Sequence, residues 1–369
     1  MIASAPVKLG MIGCGLISHA HGKAAAKSAH PVRFVTCASR RADVAASWAR
    51  TYGCDTSYTD YREMLRNETL DGIVITTWPT GHRRQIEDAL EAGVRFILCE
   101  KALVTSDADA LAVWEAARQR GATVIEGFMY RHHEMMLKAD EIVSQGGLGM
   151  VDSIEASFHM FDPEQGNPVD DTRTWRQRRD AGGGVLHDFL CYAVNAANHF
   201  AGALPVRVFA SGSDSAKFDV TDRLYALIDY ANGCVATVAS SRKACLRQAL
   251  TIVGSDGVLE VPVAWTVPRD ATLSVTTSPS FLGHERTEYR FPAPEPSDAP
   301  LIDLPVFTRQ LENFVQVIRG ADEPVVPLTA SVVDAVVRSA IERSYRSQVP
   351  DNVRFPDQFP IEMRSPWNG

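Results

Sequence analysis

Short apolar runs alternate with segments of helical period in the first third of the chain. The first run, VKLGMI, is continuous, has the length of a strand and is followed by a glycine. Strands and helices that alternate at these lengths predict βαβ units around a parallel sheet. Strands are predicted at Val7–Ile12, Val32–Ala38, Gly72–Thr77, Arg95–Cys99 and Thr123–Glu126, and helices at Leu16–Ala29, Ala42–Tyr52, Arg83–Ala92 and Ser106–Arg120, with a short helix capped by Asp60 and Glu63.

The remaining two thirds of the chain change to alternation of apolar and polar residues, which is the period of half-buried strands. Asn232-Gly233 and Ser255-Asp256-Gly257 are turn signals between consecutive strands, so neighbouring strands are expected to be antiparallel. Helical spacing returns at Pro305–Arg319 and Ala330–Tyr345. The predicted strands are Val151–Phe158, Val206–Ala210, Leu224–Tyr230, Val235–Ala239, Leu250–Val253, Val258–Val261, Thr272–Thr276 and Thr287–Phe291.

These patterns predict an α/β domain followed by an α+β domain with a large, mostly antiparallel sheet. The first domain is expected to cover residues 1–128 and the second, for substrate binding and oligomerisation, residues 129–369. Helices on one side of a broad sheet would leave its other face as a candidate subunit interface. We therefore expect a homodimer or homotetramer assembled through the sheet.

One predicted helix carries an unusual polar stripe. Within GGGVLHDFLCYAVNAANHF, residues 182–200, Asp188, Tyr192, Asn195 and His199 occur at steps that place them on one helix face. A solvated helix face is more often rich in lysine, glutamate and arginine. The stripe therefore indicates either catalytic groups or a structural hydrogen-bond network, and this segment alone leaves both interpretations open.

Composition and charge argue against several classes of function. The 369 residues are 45% hydrophobic and 22% charged with a net charge of −8, so nucleic-acid and membrane binding are not expected. The N-terminus lacks the features of a signal peptide, and no apolar run reaches transmembrane length. Seven scattered cysteines without a CxxC pair predict reduced thiols, a cytoplasmic protein and no metal site.

A glycine-rich turn follows the first predicted strand. The segment from Gly13 to Ser18, GCGLIS, has the form GxGxxS, with serine where the dinucleotide fingerprint prefers glycine or alanine. Gly13 and Gly15 permit a tight turn and a close approach of a pyrophosphate to the backbone, and the following helix start presents free N–H groups. We expect a dinucleotide-binding Rossmann domain with Gly13, Gly15, Leu16 and Ile17 at the cofactor, and a plain strand–helix turn is the alternative.

The end of the second predicted strand indicates which dinucleotide binds. NAD sites usually place an acid there for the ribose 2′-hydroxyl, whereas this strand ends in Ala38, Ser39, Arg40 and Arg41. A hydroxyl and two guanidinium groups suit the anionic 2′-phosphate of NADP. The sequence thus favours NADP, with NAD possible, and two solvated arginines at a helix start are the alternative.

Five segments together resemble the Gfo/Idh/MocA family, the group of glucose–fructose oxidoreductase and inositol dehydrogenases. The resemblance extends from about residue 7 to residue 346. It implies a Rossmann domain, a C-terminal domain with an antiparallel sheet, and hydride transfer between a nicotinamide and a sugar or cyclic polyol. The segments are GMIGCG at 10–15, TTWPTGH at 76–82, CEKA at 99–102, GFMYRHH at 127–133 and GGGVLHDFLCY at 182–192.

The resemblance also implies a catalytic set. The family's Glu-Lys-Pro motif falls on Glu100, Lys101 and Ala102, so alanine replaces a proline whose ring would fix φ. The family's Asp and Tyr/His pair falls on Asp188 and Tyr192. A tyrosine can move the proton that accompanies hydride transfer if a nearby lysine ammonium lowers its pKa. We expect Tyr192 to be the acid/base, Lys101 to assist it, and Asp188 to bind a substrate hydroxyl.

Further matching segments are implied to lie along the cofactor, and Trp78 is implied to shape the wall at its nicotinamide end. Three histidines, His132, His133 and His187, have a structural role as their simpler interpretation. The cofactor contacts that the resemblance implies are Thr77, Trp78, Pro79, His82, Glu100, Lys101, Arg131, Trp175 and Arg176.

The expected function is that of an NADP(H)-dependent dehydrogenase or reductase acting on a CH–OH group of a sugar, sugar derivative or cyclic polyol. Two alternatives use the same fold: a glycosidase that keeps NAD bound and oxidises its sugar transiently, and a non-enzymatic regulator that senses a dinucleotide. The arginines at the second strand end disfavour the first, because it needs NAD. A non-enzymatic regulator would not need Lys101, Asp188 and Tyr192 together, so the presence of all three disfavours that alternative.

Overall fold

The computed structural model describes residues 5–162, 174–268, 270–280, 283–292 and 305–360. The chain forms two compact units, and each is built around its own sheet. Among the described residues, the first unit contains 5–104, 108–132 and 305–328, and the second contains 105–107, 133–292 and 329–360. Each unit is therefore assembled from segments that are far apart in the sequence.

Both units combine strands with helices. The strands in chain order are β1 (Val7–Ile12), β2 (Val32–Ala38), β3 (Thr56–Tyr58), β4 (Gly72–Ile75), β5 (Phe96–Glu100), β6 (Thr123–Gly127), β7 (Val151–His159), β8 (Pro205–Asp214), β9 (Thr221–Tyr230), β10 (Val235–Ser241), β11 (Leu250–Gly254), β12 (Gly257–Val261), β13 (Asp270–Ser280), β14 (Gly283–Pro292) and β15 (Asp351–Asn352). The helices are α1 (Ser18–Lys27), α2 (Ala42–Tyr52), α3 (Tyr61–Asn67), α4 (Pro79–Glu91), α5 (Asp107–Arg120), α6 (Glu134–Ser144), α7 (Val185–Asp188), α8 (Leu190–Ala201), α9 (Pro305–Ile318) and α10 (Leu328–Ser347). Short 3₁₀ helices lie at Met129–His132, Trp175–Gln177 and Arg179–Ala181.

The sheet of the first unit is parallel, with the strand order β3-β2-β1-β4-β5-β6. The order reverses at β1, so the carboxyl ends of β2, β1 and β4 are neighbours at the switch point where such sheets bind ligands. All of β4 is buried, as expected for a strand with both sheet faces covered. The predicted parallel α/β domain is confirmed, and the predicted bounds of β1, β2 and α2 agree with the structure.

Helix α4 begins earlier than its hydrophobic pattern indicates. It starts at Pro79, whereas the predicted start is Arg83. Proline is well suited to a first turn, because the N–H that it lacks would have no partner inside the helix. Trp78 precedes it as the N-cap residue in an extended conformation. The tryptophan is thereby placed just beyond the carboxyl end of β4.

The sheet of the second unit has the strand order β14-β13-β12-β11-β7-β10-β9-β8-β15. Neighbouring strands are antiparallel except for β7 and β10, which run parallel. Gly233 turns between β9 and β10 with φ +91°, and residues 255–256 connect β11 to β12. The predicted large, mostly antiparallel sheet is therefore confirmed, together with both of its predicted hairpin turns.

Helix α6 is absent from the predicted elements. Its buried residues Met135, Met136, Ala139 and Ile142 have helical spacing. The imidazole of His133 caps the helix, because its Nδ1 accepts a hydrogen bond from the N–H of Met135 at 3.1 Å. The signal for this helix was thus present in the sequence as an apolar period and a polar N-cap.

Helix α9 groups with the first unit, although the predicted boundary places it in the second domain. It packs on α1, where the ring of Phe307 meets the edge of His21 with centroids 5.7 Å apart. Leu311 and Phe314 on the same helix are fully buried. The position of a helix along the chain therefore does not decide which sheet it covers.

One face of the second sheet is packed and the other is open. Helix α8 packs on β7 and β10, and β9 alternates buried and exposed positions along its length. Phe209, Tyr225 and Leu227 lie on the open face and are 44%, 47% and 42% exposed. The second unit therefore presents apolar side chains to solvent on a rigid sheet.

All seven cysteines lie in the described ranges as free thiols, and Cys245 is the exposed one. Across the described segments, no helix is both long enough and apolar enough to pass through a membrane.

Candidate active site

The turn between β1 and α1 depends on glycine at Gly13. Its φ of +94° lies in the left-handed region that favours glycine. A Cβ on Gly13 would lie 2.8 Å from Cγ2 of Thr77 and 3.1 Å from the backbone of Thr76. Thr76 also holds the turn, because its hydroxyl donates to the carbonyl of Gly13 at 2.7 Å. The turn therefore packs directly against the end of β4.

Gly15 leaves room in front of this turn. A Cβ on Gly15 would meet no atom within 4 Å. Ser18, which replaces the third glycine of the fingerprint, is fully buried and donates its hydroxyl to the carbonyl of Gly15 at 2.6 Å. Leu16 is 76% exposed, and Ile17 beside it is partly buried. The turn is thus open to the phosphates of a dinucleotide, which would face the N-terminus of α1.

A cleft of about 420 Å³ lies at the switch point of the first sheet. It collects residues that follow β1, β2 and β4. The structure thereby brings together the glycine turn, the Ser-Arg-Arg segment and the Thr77–Trp78 pair, which the sequence assigned to the cofactor. The lining residues include Gly13, Gly15, Ser39, Arg40, Arg41, Tyr61, Thr77, Trp78 and Gln85.

The backbone after Lys101 is held by buried polar groups. Lys101 is partly buried, and its peptide bond to Ala102 is cis. The N–H of Leu103 donates to a carboxylate oxygen of Glu126 at 2.7 Å. Nδ1 of His82 lies 3.1 Å from the carbonyl oxygens of Ala102 and Leu103. These contacts position the segment in which alanine replaces the proline that the resemblance implies.

His82 and Glu100 are buried inside the first unit. His82 is fully buried, its Nε2 lies 3.1 Å from the carbonyl of Thr77, and burial lowers the pKa of its imidazole. Glu100 is 8% exposed, with Oε1 2.9 Å from Nε2 of His21. His82 thus connects the turn after β4 with the segment after Lys101. His21 had no sequence signal, because α1 is rich in small residues and its two histidines, His19 and His21, form no recognisable motif.

The buried helix predicted for most of residues 182–200 is interrupted. The structure has two helices, α7 and α8, with a break at Phe189. Phe189 has φ −116° and ψ −44°, and its ring stacks on Phe158 with centroids 4.5 Å apart. Asp188 ends α7, and Tyr192 lies in the first turn of α8. The two residues therefore belong to different helices.

Asp188 lies between two arginines. Its Oδ2 accepts from Nε of Arg176 at 2.9 Å and from Nη2 of Arg242 at 2.7 Å, and its side chain is 1% exposed. Arg176 also stacks on Trp175, with the guanidinium carbon 4.9 Å from the ring centre. Two guanidinium groups donate to the same oxygen of Asp188, so the charge of this carboxylate is compensated locally. The predicted cofactor contact Arg176 is therefore engaged with the proposed substrate-binding residue.

Arg242 is a site residue that sequence reasoning missed. It follows β10, ion-pairs with Asp162 and lies over the ring of Phe189 at 4.8 Å. Asp188 is 54 positions away in the chain. No local period connects residues at such a separation, and an arginine after a strand resembles an ordinary exposed strand end.

Tyr192 has aromatic surroundings. Its side chain is 7% exposed, and its ring centroid lies 5.5 Å from that of Phe158 and 6.1 Å from that of Trp265. Nε1 of Trp265 donates to the carbonyl of Ser157 at 2.9 Å, which fixes one of these aromatic walls. The phenol thus lies in a largely apolar setting, where charge interactions are stronger than in water.

Comparison with known proteins assigns the family. A model described as an oxidoreductase family with an NAD-binding Rossmann fold matches residues 7–128, and a GFO/IDH/MocA C-terminal domain matches residues 136–260. A relative from Haloferax volcanii, named D-xylose 1-dehydrogenase (NADP(+)) 2, is 30% identical over 309 residues, or 82% of this chain and 88% of the relative. The chain belongs to the GFO/IDH/MocA family of oxidoreductases. The resemblance seen in the sequence is confirmed.

Solved structures show the same GFO/IDH/MocA fold. A levoglucosan dehydrogenase in complex with NADH and L-sorbose matches with a TM-score of 0.84 at 20% identity, covering 95% of this chain and 100% of that one. A 3-ketoreductase from Actinomadura kijaniata, in complex with NADP and TDP-benzene, matches with a TM-score of 0.77 at 24% identity and the same coverage. At these identities the likeness shows the fold alone.

Two members of the polar stripe have structural partners in this GFO/IDH/MocA protein. Nδ2 of Asn195 donates to the carboxylate of Asp334 at 2.7 Å, and Nε2 of His199 lies 2.7 Å from Oδ1 of Asp140. Asn195 therefore packs α8 onto α10. The two interpretations of the stripe thus apply to different residues: its second half is a hydrogen-bond network, and Tyr192 is its candidate for proton transfer.

Arg131 and the three histidines His132, His133 and His187 lie in buried or capping positions. Burial lowers the pKa of His187 and of His132 to about 3, and the nearby charges of Arg338 and Arg131 act in the same direction. Both rings are therefore neutral at neutral pH. His133 is the N-cap of α6, and Arg131 is 4% exposed. These placements agree with structural roles for the three histidines.

Proposed function

We propose that this protein is an NADP(H)-dependent dehydrogenase or reductase acting on a CH–OH group of a sugar, sugar derivative or cyclic polyol. The observation that carries the proposal is the cleft of the first unit, where Ser39, Arg40 and Arg41 accompany the glycine turn and no carboxylate is among the described lining residues. Such a site attracts a 2′-phosphate, whereas NAD sites usually present an acid. The name of the Haloferax volcanii relative supports the same cofactor and substrate class.

Each turnover transfers one hydride and one proton. The nicotinamide of bound NADP(H) would supply or remove the hydride. During oxidation the substrate hydroxyl loses its proton to the phenolate of Tyr192, and during reduction the phenol returns a proton to the carbonyl oxygen. The ammonium of Lys101 would favour the phenolate form and hydrogen-bond the same substrate oxygen.

Asp188 is proposed to orient the substrate rather than to move its proton. Its Oδ2 is held by Arg176 and Arg242, so the direction of the carboxylate is set before a substrate arrives. A carboxylate in a fixed direction can accept a hydrogen bond from a sugar hydroxyl without reorganisation. The two arginines would thus act through Asp188.

Assembly and compartment are further parts of this proposal. A groove of about 470 Å³ crosses the open face of the second sheet, lined by Phe209, Tyr225 and Leu227 among others. Apolar surface of this kind marks an interaction site, and we assign it to a homodimer or homotetramer. The free cysteines support a reducing compartment such as the cytoplasm.

The first test is a substrate screen with NADP and NAD, followed by Tyr192→Phe. D-xylose, levoglucosan and inositols are the starting panel, with the nicotinamide absorbance as readout. Phenylalanine keeps the ring contacts with Phe158 and Trp265 but removes the hydroxyl. We expect kcat to fall by about 10²- to 10⁴-fold, the usual contribution of general acid–base catalysis, while NADP affinity is unchanged.

Tyr289→Phe is the matched control, because Tyr289 lies on β14 and lines neither the cleft of the first unit nor the groove on the open sheet face. Its kcat should equal that of the wild type. Near-normal hydride transfer by Tyr192→Phe would remove the acid/base assignment, and a wild-type preference for NAD would remove the cofactor assignment.

A further inference from the structure

Arg40 and Arg41 are adjacent in the sequence but have different partners. Arg41 donates from Nη2 and Nε to the carboxylate of Asp43 at 2.7 and 3.3 Å, and this guanidinium lowers the pKa of Asp43. Arg40 has no ion pair within the described part of the chain. Its guanidinium carbon instead lies 5.2 Å from the ring centre of Trp78. Of the two arginines, Arg40 therefore offers the uncompensated positive charge.

The strand order explains why this guanidinium and this indole meet. Arg40 follows β2, Trp78 follows β4, and β1 lies between these strands. Both side chains line the same cleft as Gly13 and Gly15. The extended N-cap conformation of Trp78, which Pro79 follows at the helix start, places the indole at this point.

We propose that Trp78 determines specificity for the 2′-phosphate of the cofactor by holding Arg40 in the orientation that receives it. This inference rests on the proposed NADP function and deepens it. It assigns the phosphate to Arg40 rather than to Arg41. It also assigns Trp78 to the adenosine end of the cleft, instead of the nicotinamide wall that the family resemblance implies.

The physical basis is a cation–π contact that restricts an exposed side chain. The indole face attracts the guanidinium plane, while the N–H groups at the edge of that plane stay available for phosphate oxygens. An arginine that is already oriented loses less conformational freedom when the phosphate binds. Asp43 makes Arg41 less available to the phosphate. Its carboxylate accepts hydrogen bonds from Nε and Nη2 of Arg41, and its negative charge repels an approaching anion.

The test is calorimetric titration of the full-length protein with NADP, NAD and 2′,5′-ADP, a probe that carries the 2′-phosphate without a nicotinamide. We expect Arg40→Ala to lower the affinity for NADP and for 2′,5′-ADP by about 10- to 100-fold, because charge-assisted hydrogen bonds to the phosphate are lost. The affinity for NAD should change little. Arg41→Ala should weaken them by less than about 3-fold, because its exposed guanidinium is paired elsewhere.

Trp78→Leu should lower the affinity for NADP and for 2′,5′-ADP by about 2- to 5-fold, which is the range of an exposed cation–π contact. The affinity for NAD should be unchanged. Trp78→Phe retains an aromatic face and should keep most of the preference. In the Arg40→Ala background, Trp78→Leu should have no further effect, because a residue that acts through Arg40 has nothing left to position. The unchanged NAD affinity also shows that each variant is folded.

Three results would overturn this inference alone. Trp78→Leu could lower the affinities for NADP and NAD equally, which would mean that the indole contacts a part of the cofactor that both dinucleotides share. The same substitution could lower the affinity for NADP but not for 2′,5′-ADP, which would place the indole at the nicotinamide end of the cofactor. Arg41→Ala could match Arg40→Ala. A wild-type protein that does not prefer NADP would instead overturn the proposed cofactor, and this inference with it.

Discussion

Arg242 joins two carboxylates and an aromatic ring around a single guanidinium group. It pairs with Asp188 and Asp162 and stacks on Phe189 at the break between α7 and α8. Asp188 is 1% exposed, and its other cationic partner, Arg176, is 44% exposed. Screening by solvent makes an exposed partner weaker than a buried one. Arg242 therefore contributes most to keeping the Asp188 charge in place.

Arg242→Gln tests this role. We expect the free energy of unfolding to fall by about 3 kcal/mol, because Asp188 stays buried with one partner removed. We also expect kcat to fall by about 10- to 100-fold, because a misplaced carboxylate no longer orients the substrate. Urea denaturation and steady-state kinetics measure the two effects.

The control is Arg179→Gln, which removes an arginine from a largely exposed pair with Asp219. Stability and kcat should both stay close to wild type. If Arg242→Gln behaves like this control, Asp188 does not depend on Arg242.

At the scale of elements, α8 is attached to α10 by a buried carboxylate. Asp334 is 1% exposed and accepts one hydrogen bond each from Nδ2 of Asn195 and Nδ2 of Asn198, both at 2.7 Å. Oδ1 of Asn198 accepts from the hydroxyl of Tyr230 at 2.9 Å, which extends the network to β9. The amides of an otherwise apolar helix thus have a packing function, and they fix the helix that carries Tyr192.

Asp334→Ala should lower the free energy of unfolding by about 3 kcal/mol, because it leaves two buried amide donors without their acceptor. Asp219→Asn, on the surface, should change it by less than about 0.5 kcal/mol. Urea denaturation of both variants provides the comparison. Equal stabilities would mean that water or another group satisfies the amides, and that Asp334 does not hold the helix pair together.

At the scale of the whole molecule, the open face of the second sheet aligns apolar residues across strands. Leu227 pairs with Phe209 on β8 and with Thr237 on β10. Tyr225 pairs with Ala239 on β10. Because these positions follow the pleat of a rigid sheet, they form a surface that a second copy of the chain can cover without rearrangement.

Leu227→Glu should convert the assembled protein to a smaller species, because association would bury a carboxylate without a partner. Sedimentation equilibrium measures the mass of both proteins. Leu137→Glu is the matched control, since Leu137 is 46% exposed on α6 and lies outside this face. An unchanged mass for Leu227→Glu, or a wild-type monomer, would exclude the sheet face as the interface.

The sequence by itself determined the features that depend on local sterics and on the period of burial. The bounds of β1, β2 and α2, the turn at Gly13 and the hairpin at Gly233 were all predicted correctly. A glycine with positive φ or an alternating strand has the same signal in any fold, because a few neighbouring residues set its conformation.

Only the tertiary structure decided which distant groups meet. Phe189, at the break between α7 and α8, stacks on Phe158, and Asp188 accepts a hydrogen bond from Arg242. Arg40 and Arg41 look equivalent in the sequence, but Arg41 pairs with Asp43 beside it, and Trp78 reaches Arg40 from another strand. Such contacts join residues whose separation along the chain has no period, so no local pattern could have predicted them.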